Sequence, residues 1–194
     1  MSFDLGASLR RMKPERRTAP LKRRPDEALP FVPEQPSGGL ELLLDSCVYI
    51  DLLQDRIPQR MMRLFSVRLS NHSGVALAEL THLFGRLDPR DSRTDSALDK
   101  VARAISKIQE HRLSAPSLKV LGEAGILAGL VARLSAIEPG REQALLNDAM
   151  LYLQAVENGQ TILTRNIREF DWFDQLFPCG RLLFYHRTQS LSAA

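Results

Sequence analysis

Residues 42–50 have the sequence LLLDSCVYI, in which an apolar run stops at a carboxylate and resumes after a hydroxyl residue. A short continuous apolar run is typical of a strand buried on both faces of a parallel sheet. Ser46 is a good N-cap for a helix that continues to Gln54. Asp45 is then expected at the carboxyl end of an inner strand, where open α/β sheets bind their ligands. The alternative is that Asp45 only caps the helix.

Two more polar side chains follow predicted strands. Residues 75–77 are predicted as a short strand, and Glu79 lies in or near the first turn of the helix after it. Residues 161–164 are predicted as another strand, which ends just before Asn166. Strands that alternate with helices favour a parallel α/β sheet, whose carboxyl edge would bring these groups close to Asp45.

A third carboxylate lies on a predicted helix over residues 144–156. On this helix Asp148 shares a face with Leu151, Tyr152 and Ala155. A carboxylate on an apolar face is costly unless it is paired or binds a metal. Asp148 is therefore a candidate site residue.

Three clustered carboxylates, Asp45, Glu79 and Asp148, need a compensating positive charge. A cluster of oxygen ligands without histidine or cysteine suits Mg²⁺ or Mn²⁺ and not zinc. Such an ion activates water and neutralises charge on a phosphodiester, which favours hydrolysis of a nucleic-acid backbone. The sequence has no phosphate-binding or dinucleotide-binding glycine motif and no Gly-x-Ser-x-Gly elbow.

The charge is concentrated in an N-terminal arm, defined as residues 1–39. The arm has eight basic and five acidic residues, an excess equal to the net charge of +3 of the whole chain, and six of the eleven prolines. Prolines prevent a long helix, so the arm is predicted to be disordered or extended in isolation. It is either a solvated tail or an arm that binds RNA or a partner. Residues 40–188 are predicted as one domain, and residues 189–194 as a tail.

Several classes of protein are disfavoured by composition. No apolar run is long enough to span a membrane, and no secretory signal is visible at the N-terminus. The two cysteines form no disulfide framework, and Cys47 is expected to be a small buried thiol. These features favour a protein of the reducing cytoplasm.

Four segments, taken in order, resemble the motifs of PIN-domain ribonucleases, and most of all the VapC-type toxins of bacterial toxin–antitoxin pairs. The segments are residues 43–50, 78–80, 147–149 and 163–170. The resemblance covers about residues 41–186. It implies an α/β fold, a three-layer α/β/α sandwich with a five-stranded parallel sheet. It also implies a Mg²⁺- or Mn²⁺-dependent endoribonuclease that cleaves RNA such as tRNA, is often a homodimer, and is inhibited by an antitoxin.

Position by position, the resemblance assigns Asp45, Glu79 and Asp148 as metal-binding acids. Asn166 stands where many relatives have aspartate and many VapC-type toxins have asparagine. Thr164 resembles the hydroxyl that orients the cluster, and Ser46 is the small hydroxyl after the first acid.

Other positions are left open by the resemblance. Glu169 stands where these toxins commonly carry an aspartate, and Asp171 or Asp174 is the alternative for completing the acidic cluster. Arg165 or Arg168 is expected to steady the phosphate. The arm has no counterpart in the pattern. A PIN-like binding module that no longer cuts, and a PIN nuclease of RNA processing, are the alternative functions.

Overall fold

The computed structural model describes residues 3–135, 137–178 and 180–188. Its centre is a sheet of five parallel strands in the order β3-β2-β1-β4-β5. The strands are β1 (Leu42–Leu44), β2 (Ser70–Ser73), β3 (Leu113–Ser114), β4 (Thr161–Thr164) and β5 (Leu182–Phe184). The predicted tail, residues 189–194, and Cys179 lie outside the described residues.

Eight α-helices accompany the sheet among the described residues. They are α1 (Leu5–Met12), α2 (Ser46–Leu53), α3 (Gln59–Val67), α4 (Gly74–Arg86), α5 (Thr94–Ile105), α6 (Leu118–Leu134), α7 (Glu142–Asn158) and α8 (Ile167–Leu176). Short 3₁₀ turns lie at Pro14–Arg16, Asp26–Ala28 and Glu110–Arg112. None of the described helices combines the length and the apolar character that a membrane span requires.

The two faces of the sheet bury two separate apolar clusters. Leu43 and Ile162 belong to the cluster formed with α6, α7 and α8. Leu42, Leu44 and Leu163 belong to the cluster formed with α2, α3, α4 and α5. Successive residues of a strand point to opposite faces, so β1 and β4 supply side chains to both clusters. This arrangement confirms the predicted three-layer sandwich with a five-stranded parallel sheet.

Strand β2 lies earlier in the chain than predicted. The short strand expected at residues 75–77 is part of α4, and Ser70–Ser73 forms the strand. On one side β2 pairs with β1, with Asn71 opposite Leu43, and on the other side β2 pairs with β3. The hydroxyl of Ser73 then accepts a hydrogen bond from the N–H of Val75 at 3.0 Å and caps α4.

The described part of the N-terminal arm lies against the domain. Helix α1 packs on α6, where Met12 is buried. Further along, the arm runs beside the edge strand β5, where the N–H of Val32 donates to the carbonyl of Phe184 at 2.8 Å. The N–H of Phe184 in turn donates to the carbonyl of Pro30 at 2.8 Å. The prolines leave the arm little regular structure, and its contacts are made with the domain.

Candidate functional site

Asp45 and Asn166 meet because the strands that precede them are neighbours. β1 and β4 pair in parallel with Leu44 opposite Leu163, so both chains leave the sheet at the same edge. Asp45 is the residue after β1 and is buried, with 3% of its surface exposed. Asn166 follows β4 by two residues and precedes α8. This juxtaposition is the one predicted from the sequence.

Both oxygens of the Asp45 carboxylate accept hydrogen bonds. Oδ2 accepts from the Thr164 hydroxyl at 2.5 Å and from the Cys47 thiol at 3.0 Å. Oδ1 accepts from the Ser46 hydroxyl at 3.3 Å and from the N–H of Cys47 at 3.5 Å. Asp45, and not Ser46 as predicted, is therefore the N-cap of α2. Asp45 thus caps α2, and the same carboxylate also lies at the predicted sheet edge.

Glu79 and Asp148 come from two helices that pack against each other, α4 and α7. Each carboxylate is held by an amide side chain. Asn147 Nδ2 donates to Glu79 Oε1 at 2.8 Å, and Asn166 Nδ2 donates to Asp148 Oδ2 at 2.8 Å. Because α4 begins at Gly74, Glu79 lies in its second turn and not its first. Together with Asp45, these two residues are called the acid pocket below.

The acids of this pocket act on each other electrostatically. Burial raises the pKa of Asp148 well above its usual value, and the negative charges of Asp45, Glu79 and Glu169 raise it further. The positive charge of Arg141 opposes this shift. Asp148 therefore lies within electrostatic reach of Asp45, Glu79 and Glu169.

Glu169 and Asp171, the two candidates for completing the cluster, point to different surroundings. Glu169 is 5% exposed, lies 2.8 Å from Arg168 Nη2 and 3.7 Å from Arg141, and acts on Asp148. Asp171 is fully buried and accepts from the N–H and Nε of Arg24 at 2.8 and 2.5 Å. The structure therefore places Glu169 beside the acid pocket and Asp171 against the arm. Asp174 also pairs with Arg24, at 2.7 Å.

Sequence reasoning did not single out Asp51. Its carboxylate is fully buried, and Oδ2 accepts from Arg165 Nε at 2.7 Å and from the Tyr185 hydroxyl at 2.9 Å. The only signal in the sequence is a charged residue between apolar Ile50 and Leu52. Such a residue is expected to need a partner if it is buried, but nothing local says which.

The donor set of the acid pocket suits a hard divalent cation, although the ligands are not preassembled. In the part of the chain that the structure describes, no group of three or more His, Cys, Asp or Glu side chains is arranged to hold a metal ion. In Glu79 and in Asp148, one carboxylate oxygen accepts a hydrogen bond. No described protein group donates to the second oxygen of either carboxylate. Two carboxylates with a free oxygen each, and mutual repulsion that a cation would relieve, fit Mg²⁺ or Mn²⁺ chemically.

No family model matches the sequence, and no curated protein matches it. Several solved structures are similar in fold. VapBC2 from Rickettsia felis, bound to a DNA fragment from its promoter, matches with a TM-score of 0.52 and 18% identity, over 76% of this chain and 100% of that one. This chain therefore has a PIN-like fold.

Two other solved structures are similar to this chain to about the same degree. FitAcB from Neisseria gonorrhoeae matches with a TM-score of 0.52 and 15% identity, over 74% of this chain and 96% of that one. DNA-bound VapBC from Salmonella typhimurium matches with a TM-score of 0.51 and 20% identity, over 74% and 97%. Each matched chain is covered almost completely, whereas about a quarter of this chain lies outside the PIN match. At these identities the likeness concerns the fold, and the chemistry has to be argued from the residues.

Proposed function

We propose that this chain is a metal-dependent endoribonuclease that hydrolyses RNA phosphodiester bonds and acts in the cytoplasm as the toxin of a toxin–antitoxin pair. The observation that carries the proposal is the acid pocket at the carboxyl edge of a PIN-like sheet. There burial raises the pKa of Asp148, and the charges of Asp45 and Glu79 raise it further. Substrates such as tRNA are proposed by resemblance alone.

In this proposal Asp45, Glu79 and Asp148 hold Mg²⁺ or Mn²⁺. The cation supplies activation of water and neutralisation of phosphate charge when it is bound. The neighbouring side chains orient the acids: the Thr164 hydroxyl holds Asp45, and the Asn166 amide holds Asp148. Locking the carboxylates in this way fixes where ligand oxygens point, which is the usual role of residues around metal ligands.

An antitoxin is the partner that follows from this proposal, and the helical layer that includes α2, α4 and α5 offers a place for it. A cleft of about 610 Å³ opens between these three helices. Its apolar lining includes Ile50, Leu53, Leu83 and Val101. Clefts of this size and composition receive the apolar side of a partner segment.

The homodimer expected from the resemblance has a candidate surface on α6. Leu118 and Leu121 are exposed, at 66% and 44%. Gly125 and Gly129 lie on the same helix, and a Cβ added at either would meet no atom within 4 Å. This face is open in the single chain.

The catalytically silent module is the second candidate function. It is favoured by Asn166, an amide where many relatives have an acid, and by the absence of a preassembled three-ligand group in the described residues. Retained RNA binding without Mg²⁺- or Mn²⁺-dependent cleavage of any cellular RNA would support it. A nuclease of RNA processing would instead cleave RNA and have no antitoxin gene beside its own.

The central test compares Asp148→Asn with Asp174→Asn, which removes a carboxylate on α8 that pairs with the arm. Cleavage of total cellular RNA is measured in Mg²⁺ and in Mn²⁺, with thermal unfolding as the folding control. Asp148→Asn is expected to lower the cleavage rate roughly a hundredfold or more, since even residues around metal ligands are worth about 10–100-fold. Asp174→Asn is expected to cleave at nearly the wild-type rate. Equal rates for Asp148→Asn and wild type would refute the nuclease proposal.

A further inference from the structure

Arg165 lies between the two residues that orient the acid pocket. Thr164 on one side bonds Asp45, and Asn166 on the other bonds Asp148. The N–H of Arg165 donates to the Cys47 sulfur at 3.3 Å, and that sulfur also contacts Asp45. The backbone of Arg165 thus contacts the pocket, while its side chain pairs with Asp51, which is not one of the pocket acids.

The Arg165 side chain is directed by a buried carboxylate. Nε donates to Oδ2 of Asp51 at 2.7 Å, and the hydroxyl of Tyr185 donates to the same oxygen at 2.9 Å. Asp51 and Tyr185 are both fully buried. A charge-assisted bond to a buried, doubly hydrogen-bonded oxygen restricts the guanidinium to one orientation.

The outer nitrogens of this guanidinium remain available. No described protein group accepts a hydrogen bond from either Nη atom of Arg165, and 35% of the side chain is exposed. Arg168, the other candidate for a phosphate contact, is different. Its Nε and Nη2 bond Glu169 at 3.3 and 2.8 Å, and its guanidinium lies over the Trp172 ring at 5.4 Å. Of these two arginines, Arg165 is therefore the one with both Nη atoms free of described protein acceptors.

We infer that Asp51 and Tyr185 are positioning residues that hold Arg165 at the rim of the acid pocket, where its Nη atoms bind an RNA phosphate beside the scissile one. This inference rests on the proposed function. The neighbouring phosphate is favoured over the scissile one because the guanidinium pairs with Asp51 and not with an acid of the pocket. The cation that acts on Asp148 is Arg141. A planar fork with two free nitrogens matches the oxygens of a phosphodiester.

The test uses the full chain and a fluorescent single-stranded RNA oligonucleotide of mixed sequence. RNA affinity is measured in Ca²⁺ at several salt concentrations, and kcat and KM are measured in Mg²⁺. Arg165→Gln is expected to raise the RNA Kd and the KM about tenfold, as for a lost charged hydrogen bond, with a smaller effect on kcat. It is also expected to reduce the slope of log Kd against log salt by about one phosphate contact.

Two positioning variants separate orientation from folding. Asp51→Asn keeps the shape of the side chain and removes the charge, and Tyr185→Phe removes one donor to the shared oxygen. Both are expected to raise KM in the same direction as Arg165→Gln and to add little when combined with it, because all three act through one guanidinium. A purely structural role would lower the unfolding temperature of Asp51→Asn and leave its KM and salt slope unchanged, which would overturn the inference.

Arg168→Gln is the matched comparison, because it removes one positive charge three residues away. An equal or larger rise in KM for Arg168→Gln than for Arg165→Gln would also overturn the inference. Failure of the proposed function gives a different result. A wild-type chain that binds RNA in an Arg165-dependent way and never cleaves it would refute the nuclease and leave the role of Arg165 standing.

Discussion

Asp148 is half-buried beside other carboxylates, and this has a consequence for the metal-free protein. Its pKa is raised by burial and by the charges of Asp45, Glu79 and Glu169, so the folded state holds a proton that the unfolded state releases. For an acid with a raised pKa, stability is highest at low pH and declines as the pH rises toward the folded-state pKa. A divalent cation would replace the proton and offset the loss of stability that ionisation of Asp148 causes.

We expect the free energy of unfolding in EDTA to fall as the pH rises above about 4, the ordinary range of an aspartate. One proton contributes a slope of at most about 1.4 kcal/mol per pH unit. Asp148→Asn is expected to flatten this dependence and to be more stable than wild type at neutral pH in EDTA. Denaturant unfolding of wild type and Asp148→Asn at a series of pH values measures the pH dependence and the difference in stability. A wild-type slope that persists in Asp148→Asn would contradict the assignment.

Single residues next to strands were predictable, and residues held by distant partners were not. Asp45 and Asn166 follow apolar runs that end at one sheet edge, so local pattern and topology suffice to bring them together. Asp51 was not predicted as a site residue because its partners, Arg165 and Tyr185, are more than a hundred residues away in the chain. Glu169 and Asp171 differ by two positions on α8, and only the packing of the arm decides which one faces the acids.

Strand β2 is an element whose position intrinsic strand propensity does not predict. Ser70–Ser73 is polar, yet it forms a strand because β1 and β3 supply hydrogen bonds on both sides. Val75 and Ala76, which have the more strand-like sequence, instead belong to α4, where Ala76 is buried. Tertiary pairing overrides the preference of a short segment.

The contact between the arm and α8 is expected to contribute substantially to stability. In Arg24→Met the buried Asp171 loses its cation, and we expect a loss of about 2–3 kcal/mol in the free energy of unfolding. Arg23→Met breaks an exposed pair with Asp26 and is the matched control, with little change expected. Chemical denaturation compares the two. Equal losses of stability in both variants would contradict the prediction that the Arg24–Asp171 contact contributes more than an exposed ion pair.

For the whole molecule, the arm is expected to be required for a stable domain. Two buried carboxylates of the domain, Glu123 and Asp171, find their arginine partners in the arm, Arg11 and Arg24. The edge strand β5 remains paired with β4 but loses the backbone bonds that Pro30 and Val32 supply when the arm is removed, and open edges promote aggregation. Deletion of residues 1–39 should therefore lower the unfolding temperature and the soluble yield.

Neutral replacements provide the control for this deletion. Glu123→Gln and Asp171→Asn, placed together in the truncated chain, remove the unpaired charges and should recover part of the lost stability, leaving the open edge of β5 as the remaining defect. A truncated chain with the wild-type unfolding temperature would show that the arm is dispensable. The composition of the arm predicted neither α1 nor these contacts, because the sequence does not show which charges become buried.

The pairing of Pro30 and Val32 with Phe184 joins segments that are more than 150 residues apart in the chain. On the ribosome the arm therefore emerges well before its partner β5 is translated. Until then the arm's carbonyl and amide groups are exposed to proteases and chaperones. Nascent chains truncated before residue 160 should accordingly be cut within the arm by a protease that leaves the full-length protein intact.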